Sequence, residues 1–119
     1  MIININDNQF KVKLARTEKE KSEGMMGKKF NQNFNGMLFL MGSGKHCFWM
    51  KSCITPLDII FIKEGEITKI HHDCPPCRYH DDEECERYCG RGNFVLELPG
   101  GTCNLLDISK GDKVKLIDR

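Results

Sequence analysis

Short apolar segments separated by turn signals recur along the whole chain, and this pattern constrains the fold more than any other feature. Ile3 and Ile5 alternate with asparagines, and Phe10, Val12 and Leu14 alternate with lysines, as expected of β-strands with one buried face. An Asp-Asn turn signal separates the two segments. The first part of the chain is therefore predicted to form a β-hairpin.

Later segments predict further strands after similar turn signals. Several of them carry few polar residues, which favours strands buried on both faces of a sheet. Pro56 precedes one of them, and proline is tolerated at the first position of a strand. Together with the hairpin they amount to about eight short strands, with the later ones at residues 36–41, 46–50, 57–62, 67–71, 93–98 and from Gly111 onward.

The segment after the hairpin predicts a short helix. Thr17 and Glu20 have the spacing of a capping box, in which each side chain accepts a hydrogen bond from the backbone N–H of the other residue. The helix should run over 18–23 and stop near Gly24, and a second helical turn is expected at 102–107. Many short strands and little helix predict a mainly-β fold, a jelly-roll-like sandwich or barrel with one or two short helices.

Length and charge limit the classes of function. The 119 residues predict a single domain over 1–119, and 39% hydrophobic with 29% charged residues is an ordered, globular balance. The net charge of +1 argues against a strong nucleic-acid footprint. No apolar run reaches the length of a bilayer span, and the first residues lack the features of a signal peptide. We therefore expect a cytoplasmic protein whose partner is a small molecule or a protein, not a nucleic acid or a membrane.

The segment 73–92 is polar, lacks periodicity and carries four of the seven cysteines. Its spacing suits zinc, because two pairs of thiolates close in sequence can converge on one tetrahedral ion. A disulfide staple and free or redox-active thiols are the alternatives. The other cysteines, Cys47, Cys53 and Cys103, stand singly among apolar residues and are interpreted as small core hydrophobes. The candidates in the loop are Cys74, Cys77, Cys85 and Cys89, with His71, His72 and His80 as substitute zinc ligands.

Charged and aromatic residues accompany the apolar strands at a few positions. Asp58 falls on the same strand face as Ile60, and Glu97 lies between two leucines. A buried carboxylate without a partner is costly, so Lys51 is the expected counter-ion of Asp58. One interpretation is a structural ion pair, and the other is a polar ligand pocket formed by Trp49, Lys51, Asp58 and Glu97.

Two hypotheses on function follow. The first is a small non-enzymatic binding or accessory module, favoured because the sequence has no phosphate-binding glycine loop and no serine-hydrolase or zinc-protease motif. The second is a small hydrolytic or metal-assisted enzyme that uses Asp58 and Glu97 as acid and base, with Lys51 beside them.

Several motifs in a fixed order give the chain a family likeness. They are Glu23–Lys28, Gly36–Phe39, Phe48–Lys51 with Pro56–Phe61, Val95–Leu98 with Gly101, and Gly111–Val114. With these motifs the chain resembles the domain-of-unknown-function family DUF192 over most of its length. The resemblance implies a jelly-roll-like, mainly-β fold and no established activity, and the family's cysteines at the positions of Cys77 and Cys85 fit a disulfide at least as well as a zinc site. Lys21 and Lys28 stand where the family usually has arginine, so a bidentate contact to an anion is not expected at these positions.

Overall fold

The computed structural model describes residues 1–78 and 82–118. The described chain contains nine strands, two short α-helices and one turn of 3-10 helix (Asp82–Glu84). The helices are α1 (Glu18–Glu23) and α2 (Thr102–Leu105). The strands are β1 (Ile2–Ile5), β2 (Asn8–Ala15), β3 (Gly36–Leu40), β4 (Lys45–Phe48), β5 (Leu57–Lys63), β6 (Glu66–Cys74), β7 (Tyr88–Arg91), β8 (Phe94–Pro99) and β9 (Val114–Asp118).

Seven strands form one curled sheet in the order β6-β5-β8-β3-β2-β1-β9, and β4 pairs with β7 in a separate two-stranded sheet. Only the β2–β3 pair of the large sheet is parallel. The sheet curls until its edges meet, where the Val114 N–H donates to the Gly65 carbonyl and the Gly111 N–H to the Ile67 carbonyl, both at 2.8 Å. Glu66 lies opposite Lys113 at this seam. The seam turns the sheet into a barrel, which leaves no open edge there.

Residues alternate along each strand between two hydrophobic clusters, one on each face of the sheet. Ile60, Leu96 and Leu98 join the inner cluster, to which β1, β2 and β6 also contribute. Ile59 and Val95, the sequence neighbours of these residues, belong to the outer cluster. Strand β5 is therefore buried on both faces, as its mostly apolar sequence predicted.

The small β4–β7 sheet covers the outer cluster. Phe48 on β4 packs edge-to-face on Phe39 and Phe61, with ring centroids 5.0 and 6.0 Å apart. Gly90 on β7 lies directly against the Phe61 ring, where an added Cβ would come within 2.5 Å of Cγ. The close approach of backbone to ring explains why β7 has a glycine at this position.

The predicted fold class and helix are confirmed. Among the described residues, strands and isolated bridges account for 51% and helix for 11%. Helix α1 occupies Glu18–Glu23 and has both hydrogen bonds of the capping box, from the Glu20 N–H to Thr17 Oγ1 at 3.1 Å and from the Thr17 N–H to Glu20 Oε1 at 3.0 Å. None of the helices among the described residues is long and apolar enough to cross a membrane.

Two local predictions are wrong. The segment 46–50 is not a strand buried on both faces, because β4 ends at Phe48 and its residues are alternately exposed and half-buried. The loop assigned to 73–92 contains β7 and the 3-10 turn. Strand β7 forms in a polar segment because it pairs with β4 and is joined to it by a disulfide. The sequence of β7 by itself predicts neither the pairing nor the disulfide.

Candidate functional site

Three of the four clustered cysteines form disulfides. Cys77 is bonded to Cys85 within the loop, in agreement with the disulfide alternative, and Cys89 is bonded to Cys47 on the facing strand. The four-thiolate zinc site is therefore wrong, because these sulfurs are no longer available as ligands. The described residues also contain no group of three or more His, Cys, Asp or Glu side chains that could hold a metal. His80, a predicted substitute ligand, lies outside the described residues.

The interpretation of Cys47 as a core hydrophobe is also wrong, since it is exposed and disulfide-bonded. Cys53, Cys74 and Cys103 remain thiols. Cys74 and Cys103 are buried, and Cys53 is half-buried. Burial raises the pKa of all three thiols to about 12, so they stay protonated at neutral pH. Protonated thiols are poor nucleophiles, which argues against the redox alternative for Cys74.

Asp58 is fully buried, and backbone groups bind its carboxylate. Oδ1 accepts from the Asp73 N–H at 2.7 Å and the Gly101 N–H at 3.0 Å, while Oδ2 accepts from the Cys103 N–H at 2.8 Å. The predicted ion pair with Lys51 does not form. Three backbone donors can compensate a buried carboxylate without a cation, so the role of Asp58 is to join β5 to the end of β6 and to the start of α2.

The structure also separates Asp58 from Glu97. On neighbouring strands β5 and β8, Asp58 lies opposite Leu98 and Ile59 lies opposite Glu97. Since side chains alternate between the two faces of a sheet, Asp58 points toward the inner cluster and Glu97 toward the outer one. The two carboxyl groups are therefore not brought together as an acid–base pair.

The other three predicted site residues, Trp49, Lys51 and Glu97, line one cavity of about 320 Å³. Glu97 comes from β8, and the other two come from the segment after β4. Helix α1 and the turn after it form the opposite wall. Lys21, Met25, Met41 and Cys53 are among the further residues of the lining.

Glu97 is the unusual group in this cavity. It is 3% exposed, and its Oε1 has no hydrogen-bond partner among the described residues. Its nearest strand neighbours, Met37 and Ile59, are apolar. Burial raises the pKa of Glu97 to about 8, so the carboxyl is mostly protonated at neutral pH. A neutral carboxyl can both donate and accept a hydrogen bond, and Oε1 has an unused capacity.

Two cations lie against the Trp49 ring at the edge of the cavity. The Arg87 guanidinium carbon is 4.3 Å and Lys51 Nζ is 5.2 Å from the ring centroid. Such cation–π contacts hold the indole in position while keeping charge beside it. Arg87 itself does not line the cavity, and Lys21 on α1, which is bound to Glu18 Oε1 at 3.1 Å, is the second lining cation beside Lys51.

The contribution of α1 and its turn was missed by the sequence analysis. The charged pattern of α1 suggests only a solvated surface, and its place over Glu97 depends on tertiary packing. The sequence carried one local indication of this turn, the glycine of the Gly24-Met25-Met26 segment. Gly24 has a φ of 45° and approaches the Phe39 ring, where a Cβ would lie 3.2 Å from the ring. A glycine is thus required where the chain turns over the cavity.

Fold and site together define a small barrel-like β-protein with a polar cavity on its outer face. The chain belongs to the DUF192 family, described as "Uncharacterized ACR", whose model matches residues 1–116. Comparison with curated proteins gave no match.

Two crystal structures share the fold. One is a protein of unknown function from Novosphingobium aromaticivorans, with 29% identity, a TM-score of 0.83 and coverage of 97% of this chain and 84% of the other. The second, from Sinorhizobium meliloti, is proposed to be a transcription regulator. It has 27% identity, a TM-score of 0.83 and coverage of 96% of this chain and 91% of the other.

Proposed function

We propose that the protein is a non-enzymatic binding module whose ligand is a small polar molecule bound at Glu97. The observation that carries this proposal is the buried Oε1 without a partner. An unsatisfied buried polar atom costs about 1–3 kcal/mol, and native proteins leave few of them. A ligand that bonds to Oε1 would recover this cost, whereas an apolar residue would serve a purely structural role better.

The dimensions and chemistry of the cavity narrow the ligand. About 320 Å³ is at the small end of the range for ligand pockets, which favours a compact molecule. Glu97 supplies a neutral hydrogen-bonding group, and Trp49 supplies a flat surface. Lys51 and Lys21 place positive charge in the lining. Glu18 and Glu23 in the same lining balance this charge, so the ligand should carry a donor and an acceptor for the carboxyl and little net charge.

The position of Asp58 makes binding a better proposal than catalysis. An acid–base mechanism with Asp58 and Glu97 needs both carboxyls beside one substrate, but they face opposite sides of the sheet. The partner of Glu97 in such a reaction would have to be a different group. Lys51 and the half-buried Cys53 line the same cavity, but a thiol with a pKa of about 12 is not a ready nucleophile.

A small molecule is also a better proposal than nucleic acid. The Sinorhizobium meliloti relative is proposed to regulate transcription. This chain has a net charge of only +1, while binding to phosphates depends on clustered lysine and arginine. We propose that the partner is a small molecule or a protein.

We propose an oxidising compartment in place of the cytoplasm expected from the sequence. Two disulfides among the described residues support this, since cytosolic reductants keep most thiols reduced. Alkylation in intact cells followed by denaturation and thiol counting tests it. Three of the seven cysteines should then be found as thiols, and seven would indicate a reducing location.

A thermal-shift screen tests the ligand proposal. A panel of small carboxylic acids, amides and polyols is added to the wild type, to Glu97→Leu and to the control Glu64→Gln, which changes an exposed carboxylate outside the cavity. We expect one chemical class to raise the melting temperature of the wild type and the control but not of Glu97→Leu. Glu97→Leu alone should melt no lower than the wild type. A ligand that stabilises Glu97→Leu equally, or a marked loss of stability in that variant with no ligand found, would contradict the proposal.

A further inference from the structure

A second, larger cavity opens at one end of the barrel, on the opposite face of the sheet from Glu97. Its volume is about 690 Å³, within the range of sites for drug-sized ligands. The lining is almost entirely apolar, with side chains from six strands of the large sheet. They include Ile3, Leu14, Leu40, Ile62, Phe94 and Leu116.

The barrel is filled at its other end and open at this one. Cys103 and Ile108, in and after α2, are buried in the inner cluster next to the start of β5, where Asp58 holds α2 in place. Ile62 lies near the far end of the same strand, at the open cavity. Leu116 at this end is 50% exposed, so the apolar surface is not shielded from water. An interior with one filled and one open end is a common form of ligand site in small β-barrels.

Among the described residues that line this cavity, Arg16 is the only one with a charged side chain. It follows directly on β2 and is exposed. The guanidinium forms no ion pair with a described residue. The Oε1 of the nearby Glu20 carboxylate accepts hydrogen bonds from the backbone N–H groups of Arg16 and Thr17, both at 3.0 Å, and the attraction of the Arg16 charge is the smallest of the causes that lower the pKa of Glu20. A cation at the rim of an apolar cavity is complementary to a ligand with an apolar body and an anionic head.

We propose that the open end of the barrel binds an amphiphilic anion, a chain carboxylate whose hydrocarbon part enters the cavity and whose head group meets Arg16. This site is independent of the cavity at Glu97. The two cavities lie on opposite faces of β3, where Leu38 and Leu40 line one and Phe39 lines the other. Occupancy of one site therefore does not require the other.

Isothermal titration with octanoate, decanoate and dodecanoate, each below its micelle concentration, tests the proposal. The affinity of the wild type should rise about fourfold per methylene, because each buried CH₂ adds to the hydrophobic term. The corresponding alcohols should bind about tenfold more weakly, since they lack the charge that meets the guanidinium. Arg16→Gln should remove this difference between acid and alcohol. The control Lys11→Gln, which removes an exposed cation from β2 outside this cavity, should keep it.

Further variants locate the bound chain. Leu14→Trp should fill the cavity and abolish binding while retaining the fold. If Leu14→Trp has a lower melting temperature than the wild type, Leu40→Trp is used as the cavity-filling variant instead. Glu97→Leu should bind the carboxylates like the wild type, which separates this site from the one proposed above. Affinity that does not rise with chain length, equal binding of acid and alcohol, equal effects of Arg16→Gln and Lys11→Gln, or no saturable binding of any of the carboxylates would overturn the proposal.

Discussion

Asp58 and Glu97 are buried carboxyls on neighbouring strands of one sheet, yet they face opposite sides of it and differ in their hydrogen bonding. Asp58 accepts three backbone hydrogen bonds, whereas Oε1 of Glu97 has no partner among the described residues. Asp58 therefore has a structural role, and Glu97 is the candidate for ligand binding. The following predictions test this difference and the architecture around it.

The stability of the protein should depend on pH through Glu97. The folded pKa is about 8, and the unfolded value is 4.5. The folded state thus holds a proton that the unfolded chain releases, and the unfolding free energy should fall as pH rises from about 4.5 to about 8. The slope from this group is at most about 1.4 kcal/mol per pH unit. Urea titrations of the wild type and Glu97→Gln across this range measure it.

In Glu97→Gln this part of the pH dependence should be absent, while Glu64→Gln, an exposed control, should keep it. Above about pH 8 Glu97 is ionised in both the folded and the unfolded wild type. The stability curves of the wild type and of Glu97→Gln should therefore run parallel in that range. Equal slopes in the wild type and Glu97→Gln below that pH would show that the carboxyl is not desolvated.

Removal of the Asp58 carboxylate should destabilise the fold strongly. Asp58→Ala leaves the backbone N–H groups of Asp73, Gly101 and Cys103 buried without an acceptor, at about 1–3 kcal/mol each. Asp58→Asn should lose less, because its amide oxygen can keep some of these bonds. Chemical denaturation gives the ranking. An added Lys51→Met substitution should restore nothing, since Lys51 is not the partner, and rescue by that change would contradict this account.

Gly90→Ala should destabilise the packing of the small sheet on the large one. A Cβ at this position would lie 2.5 Å from Phe61 Cγ, and the ring is fully buried. Overpacking of this kind costs about 1–3 kcal/mol. Gly42→Ala is the matched control, because its Cβ would meet no atom within 4 Å. Similar melting temperatures for the two variants would contradict the described contact.

The two disulfides should contribute unequally to stability. Cys47 and Cys89 are 42 residues apart in sequence, and Cys77 and Cys85 are 8 apart. If a crosslink acts by restricting the unfolded chain, replacing the first pair by serine should cost about 4 kcal/mol and the second about 2.5 kcal/mol. Denaturation of the two double mutants in the absence of reductant measures the difference. The reverse order would show that local packing in the loop outweighs chain entropy.

The sequence predicted the local elements well and the contacts between them only in part. The capping box of Thr17 and Glu20 and the apolar run of β5 depend on neighbours in the chain, and both predictions are confirmed. Trp49, Lys51 and Glu97 line one cavity, and Asp58 does not. Its backbone partners come from residues 15 to 45 positions away, which no local pattern reveals. The pairing of Cys47 with Cys89 was missed for the same reason, since β7 exists only through contact with β4.

The barrel seam has a consequence for synthesis of the chain. Strand β9 (Val114–Asp118) pairs with β1, and the segment before it meets β6. Until β9 has left the ribosome, β1 and the start of β6 expose unpaired backbone groups, and the inner apolar cluster is open along one side. Exposed strand edges and apolar surface favour association between chains. Nascent chains that lack β9 should therefore be the most aggregation-prone, and chaperones should be needed most at this final step.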